Sequence, residues 1–173
     1  DSNIESTNFL ASESNKKVEF LERLLDENQV ITIGGFIGRT TDGIITTYER
    51  GGSDRTAADL GILLHKKFDV KINLEKDSSV VSADPRIVKD GLTEVRSISY
   101  NEARLAGMFG MNILDPISIK EILENGASLP IVITDMRNPE KTTTIERKPN
   151  NDNGHPIKII TGKKNCAILR IED

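Results

Sequence analysis

The stretch Arg50-Gly51-Gly52-Ser53-Asp54 constrains this chain more than any other, because two consecutive glycines release the backbone into a turn that opens directly onto a helix. Without a Cβ, Gly51 and Gly52 can take positive φ and approach a ligand closely. Ser53 and Asp54 are expected to cap the helix, whose free amides and dipole favour negative charge. Ala57, Leu60, Gly61, Leu64 and Phe68 recur at helical spacing and predict its buried stripe. Val70, Ile72 and Leu74 then alternate with polar residues, as a half-buried strand does. A turn, a helix and a strand in immediate succession imply layered α/β architecture.

The rest of the chain repeats the alternation. Val18, Leu21 and Leu25, with Phe20 and Leu24 alongside, predict a helix over 16–27 behind a polar entry at 1–15. Gln29 to Ile33 reads as a buried strand delivering the Gly34-Gly35 turn, and Val80-Val81 as a second, short strand. Ser99-Tyr-Asn-Glu102 has the form of a capping box at the start of a helix over 100–109. Asp115-Pro116 starts another helix, with Ile119, Ile122 and Leu123 inward and a stop at Asn125-Gly126. Ile131 to Thr134 and Thr142 to Ile145 read as strands. The polar run 148–156 is read as a linker separating a body, 1–147, from a tail, 157–173. In that tail Ile157–Thr161 and Cys166–Ile171 are strand-like, joined by a turn at Gly162–Asn165.

Charge and composition remove several function classes. With 23 basic against 27 acidic residues the net charge is −4, and no basic cluster offers a footprint for nucleic acid. No run of about 18 apolar residues predicts a membrane span, and no leader is evident. Cys166 is the single cysteine, so no intrachain disulfide is available; a buried structural thiol and a reducing, cytoplasmic setting are expected. His65 and His155 have no partner at metal-ligand spacing, so structural roles and no resident metal are expected. Glu19, Glu22, Arg23 and Asp26 read as a solvated helix face.

The chemistry of the glycine turn is more specific. Arg50 supplies a planar fork suited to a carboxylate or phosphate, and Asp54 can hold an ammonium group or a metal-bound water. Together they suit a zwitterion beside phosphates, although Gly51 to Asp54 alone read equally well as an ordinary strand-to-helix turn. The wider pattern is Gly35-Phe-Ile-Gly38, Asp42-Gly43, Thr46-Thr47 and Arg50 to Asp54. It continues with Ala83-Asp-Pro-Arg-Ile-Val88, Ser99-Tyr-Asn-Glu-Ala103, Phe109-Gly110 and Asn138-Pro-Glu140. In motif, order and spacing this closely resembles the aspartokinases, members of the amino acid kinase family, over roughly residues 30 to 170.

The resemblance implies an αβα sandwich of the amino acid kinase type, of which this chain resembles the C-terminal, nucleotide-binding half. It implies phosphorylation of the side-chain carboxylate of L-aspartate by ATP with Mg2+, giving 4-phospho-L-aspartate for amino-acid biosynthesis. Phe36 would pack along the aspartate stem beside Thr47, Arg50 would pair with a substrate carboxylate, and Ser53 and Asp54 would bind its polar head groups. Asp54 carries the catalytic assignment. Gly51, Gly52, Asp84, Arg86 and Asn112 fall on the nucleotide side, although Asp84-Pro85 also reads as a simple turn initiator. Residue 157 onward would begin an ACT-like regulatory domain, through which a homo-oligomer sensitive to an end-product amino acid would form; closing strands of the body are the other reading.

Departures from the family pattern bear mostly on the nucleotide side. Leu74-Glu75-Lys76 stands where Trp-Thr-Asp is common, Val81 where a Tyr is usual, and Asn112 in place of a Lys. Asp115 replaces the His of Leu-His-Pro, and Glu49 the Gly before Arg50. No Lys-Phe-Gly-Gly motif occurs in these residues, so the chain alone is expected to be inactive. A non-catalytic regulatory or amino-acid-binding subunit is the alternative, and a kinase acting on glutamate or a carbamoyl group a weaker third reading.

Overall fold

Short β-branched segments and longer helical stripes alternate through the computed structural model, which describes residues 8–111, 113–149 and 157–165. In chain order the elements are α1 (Ala11–Asp26), β1 (Ile37–Arg39), β2 (Ile45–Thr47), α2 (Gly52–Leu64) and β3 (Ile72–Lys76). They continue with β4 (Ser97–Ser99), α3 (Tyr100–Met108), α4 (Pro116–Glu124), β5 (Ile131–Asp135) and β6 (Thr142–Glu146). β1 and β2 form a separate antiparallel hairpin, and the main sheet runs β3-β5-β6-β4. β3 lies parallel to β5 and β4 to β6, whereas β5 and β6 are antiparallel. The class is α/β, as the alternation predicts.

One core lies between this sheet and its helices. Ile98, Ile131, Ile133 and Ile145 point from the strands onto Ala58 and Ile62 of α2, Ala103 of α3 and Ile119 and Ile122 of α4. Successive strand residues alternate faces, so Asn73, Glu75, Thr142, Thr144 and Glu146 occupy the opposite side. Thr143 is the polar exception inside, fully buried on β6. Its hydroxyl donates to the Val95 carbonyl at 2.7 Å and accepts from the Val80 amide at 3.0 Å. Two loop backbone groups are thereby satisfied at a point no strand reaches.

The helix signals at 99–102 and 115–126 are borne out. Ser99 and Glu102 make both bonds of the capping box, and Asp115 accepts from Ile117 N with Pro116 in the first turn of α4. α4 stops at Asn125, and Gly126 follows with φ 68°. Other expectations are corrected. α1 begins at Ala11, so 11–15 are helical rather than part of a loose entry. Gln29–Ile33 is not a strand: no described strand lies beside it, and Val30 is 99% exposed. Val80-Val81 contributes only one bridge, Val81 to Glu94, because Val80 N is taken by Thr143.

α2 is turned from its predicted stripe. Its buried positions are Arg55, Ala58, Asp59, Ile62 and Leu63, together with Gly52 and Gly61, while Ala57, Leu60, Leu64 and Phe68 are half-buried. Two charged residues therefore sit on the inner face. β1, β2 and β4 were not anticipated; β4 has a single apolar residue, Ile98, and is defined by its pairing with β6. Ile157–Thr161 makes one parallel bridge, Ile160 to Ala83, rather than a full strand. His155, Cys166 and linker residues 150–156 lie outside the described residues, as does Asn112.

Candidate functional site

The hairpin and the glycine turn build one end of the site. Asp42-Gly43, with Gly43 at φ 90°, closes the β1–β2 turn, and the Arg39 side chain donates to the Gly43 carbonyl at 3.0 Å. The hairpin sets Thr47 opposite Ile37, and Tyr48 N donates to the Phe36 carbonyl at 2.9 Å. Phe36 N in turn donates to Thr56 Oγ1 of α2 at 3.0 Å. Phe36, Thr47, Gly51, Gly52, Ser53 and Asp54 are thus gathered around the start of α2, with Arg50 exposed just ahead of it. The expectation that Ser53 and Asp54 cap α2 is corrected. Gly51, at φ 91°, is the N-cap without any side-chain cap bond, which places Ser53 and Asp54 inside the first turn.

Close packing explains the second glycine. A Cβ on Gly52 would lie 2.4 Å from Tyr48 Cβ and 2.6 Å from Phe36 Cδ2. A Cβ on Gly51 would lie 3.1 Å from Asp115 Cβ, so the turn is wedged against the cap of α4 as well.

Beneath the turn lies a charged network that the sequence reading missed. Arg55 Nη2 donates to Glu121 Oε1 at 2.7 Å, its guanidinium carbon sits 4.6 Å from the Tyr48 ring centroid, and its Nε is 3.9 Å from Asp115 Oδ2. The Tyr48 hydroxyl donates to Asp59 Oδ2. Asp59 Oδ1 and Glu121 Oε2 are both buried without a donor among the described residues. Desolvation pushes the Asp59 carboxyl up to about 7, with Tyr48 opposing the shift and the Glu121 charge adding to it. A proton kept on the Asp59 carboxyl would relieve the repulsion between the two groups. Burial also raises Asp115. The available signal was Arg55 and Asp59 at i and i+4, spaced with Ala58 and Ile62 on one helix face.

A second centre lies at the carboxyl ends of β3 and β5. A cavity of about 680 Å3 is lined there by residues that include Lys76, Asp77, Val81, Asp84, Arg86 and Met136. Arg86 folds back onto Asp84, with Nη2 at 2.7 Å from Oδ2 and Nε at 3.0 Å from Oδ1. Bonds from the Arg86 side chain and from its amide hold the Asp84 carboxyl down to about 2. Lys76 joins this cavity to the turn through Asp54 Oδ2 at 2.8 Å. The structure therefore gathers the turn residues into one cluster and Asp84 with Arg86 into another, with Lys76 between. Among the described residues no group of three or more His, Cys, Asp or Glu could hold a metal. None of the described helices is long and apolar enough to cross a membrane.

Comparison with known proteins bears on the family and the fold. The chain is 34% identical over 154 residues to a chloroplastic bifunctional aspartokinase/homoserine dehydrogenase 2 of Arabidopsis thaliana, covering 86% of this chain and 16% of that protein. It is 30% identical over 155 residues to an aspartokinase of Rickettsia felis, covering 89% of this chain and 37% of that protein. The chain thus spans well under half the length of these relatives. Its fold matches the crystal structure of E. coli aspartokinase III in complex with aspartate and ADP, with a TM-score of 0.76 and 23% identity over 87% of this chain and 33% of that one. The model of the amino acid kinase family matches residues 3–135. On that match, and with the α/β sheet and glycine turn in place, the chain belongs to the amino acid kinase family.

Proposed function

We propose that the protein phosphorylates the side-chain carboxylate of L-aspartate with ATP, giving 4-phospho-L-aspartate and ADP. A carboxylate oxygen attacks the γ-phosphorus while the bond to the β-bridging oxygen breaks, and no net proton is transferred. The observation that carries this reading is the gathering of Phe36, Thr47 and Arg50 to Asp54 at the start of α2, beside a cavity walled by Asp84 and Arg86. Arg50 is exposed and free to pair with a substrate carboxylate, and Asp54 offers the anion for its ammonium. Mg2+ enters as the counter-ion of ATP. Phosphoryl transfer is catalysed almost wholly by positioning and charge neutralisation, so the arrangement of these groups is the catalytic apparatus.

The decisive experiment is aspartate-dependent ADP release by the intact protein, with the acyl phosphate trapped by hydroxylamine. ADP release that is indifferent to aspartate, or that responds to glutamate instead, would reject the assignment. The 173-residue chain by itself is proposed to bind substrates without transferring phosphate, since Arg86, the exposed cation of the cavity wall, is already engaged by Asp84. That same engagement favours the second reading, a non-catalytic amino-acid-binding subunit. In that case aspartate would bind while ATP would not. Regulation through an ACT-like region beyond residue 157, and assembly into a homo-oligomer, complete the proposal.

A further inference from the structure

β3 and β5 run parallel and end side by side, with Lys76 opposite Asp135. In open α/β sheets the crevice outside the carboxyl ends of parallel strands is where ligands are held. Lys76 stands at that crevice with its backbone fixed, because Met136 N donates to its carbonyl at 2.9 Å. Its ammonium donates to Asp54 Oδ2 at 2.8 Å. An ammonium carries three donors, so two remain for a ligand. The side chain is 21% exposed, which leaves it reachable yet shielded enough for its charge to count. Arg86, the other cation in the cavity wall, is 79% exposed and is occupied by Asp84.

We propose that Lys76 is the phosphate-binding cation of this site, holding Asp54 with one N–H and turning the others onto the terminal phosphate of a nucleoside triphosphate in the cavity. The proposal rests on the phosphotransferase reading above and adds the residue that ties the two substrates together. One lysine then reports nucleotide occupancy to the carboxylate that awaits the acceptor's ammonium. Glu75, Asp77 and Asp84 line the same cavity and would repel a bare triphosphate, so the nucleotide enters as its magnesium complex.

The test is calorimetric titration of the full chain with adenosine, ADP and Mg-ATP, for the wild type and for Lys76→Met and Lys76→Arg. Lys76→Met should lose about tenfold or more in Mg-ATP affinity with adenosine affinity unchanged, and Lys76→Arg should keep most of it. Equal losses for adenosine and Mg-ATP, accompanied by a lower melting midpoint, would reduce Lys76 to a structural strut and overturn the proposal. So would a wild-type chain that binds none of the three, or that gains nothing from the phosphates. A protein that discriminates Mg-ATP through Lys76 but does not phosphorylate aspartate would keep this proposal and sink the acceptor assignment alone.

Discussion

Gly52 is the position where the site's packing leaves least freedom. Gly52→Ala places a methyl group where Tyr48 Cβ and Phe36 Cδ2 already stand at 2.4 and 2.6 Å, and neither is the loose end of a flexible chain. Overpacking of this kind costs about 1–3 kcal/mol, so the urea midpoint should drop clearly. Gly34→Ala, with nothing within 4 Å of its added carbon, should leave the midpoint nearly unchanged. Arg50→Ala should behave oppositely to Gly52→Ala. The residue is exposed, so melting should be unaffected, while loss of a charge-assisted pair worth roughly 1.5–3 kcal/mol weakens aspartate by about tenfold or more. Unchanged aspartate dependence in an Arg50→Ala protein would remove that residue from the site.

Among the elements, α2 is distinguished by burying Arg55 and Asp59 on the face it turns to α4. The Asp59 carboxyl has a folded value near 7 against 3.8 for the free group, so the folded chain binds more protons than the unfolded one between those limits. Stability from this group is therefore greatest in acid and declines as pH rises through that window, flattening above it. Asp59→Asn supplies an N–H in place of the carboxyl proton and keeps an oxygen to accept from Tyr48. Melting midpoints of the variant minus wild type should rise from about pH 4 to about pH 8. A flat difference would mean that Asp59 is ionised throughout.

This network also marks where sequence reading ends. The caps of α3 and α4 were legible because Ser99, Glu102, Asp115 and Pro116 act on backbone groups within three residues of themselves. The turn at Arg50 to Asp54 was legible because glycine and hydroxyl chemistry acts locally, whereas Phe36 and Thr47 were reached only through the family resemblance. β4 and the inner face of α2 were not, since Ile98 becomes a strand residue only beside β6, and Arg55 can be buried only where Glu121 and Tyr48 meet it. Lys76 stands in the sequence only as a departure from the pattern the chain resembles, since its bond to Asp54 spans 22 positions and leaves no mark on spacing.

For the molecule as a whole, the proposed regulation would run from the segment beyond residue 156 to the body. Lysine and threonine titrated against the intact protein should alter aspartate kinase activity together with oligomeric mass. A coupling of about 1–3 kcal/mol would change substrate affinity roughly 5–150-fold. Indifference of both readouts would make residues 157 onward closing segments of the body. The described part of that tail is already attached to the body. Lys158 pairs with Glu102 at 3.3 Å, Thr161 Oγ1 donates to the Phe109 carbonyl at 3.1 Å, and Ile160 N donates to the Ser82 carbonyl at 2.8 Å. The last of these is anchored two residues ahead of Asp84. On the regulatory reading proposed above, a shift of the tail would therefore be felt first at the Asp84–Arg86 pair, and a ligand that parted that pair would be felt in the tail.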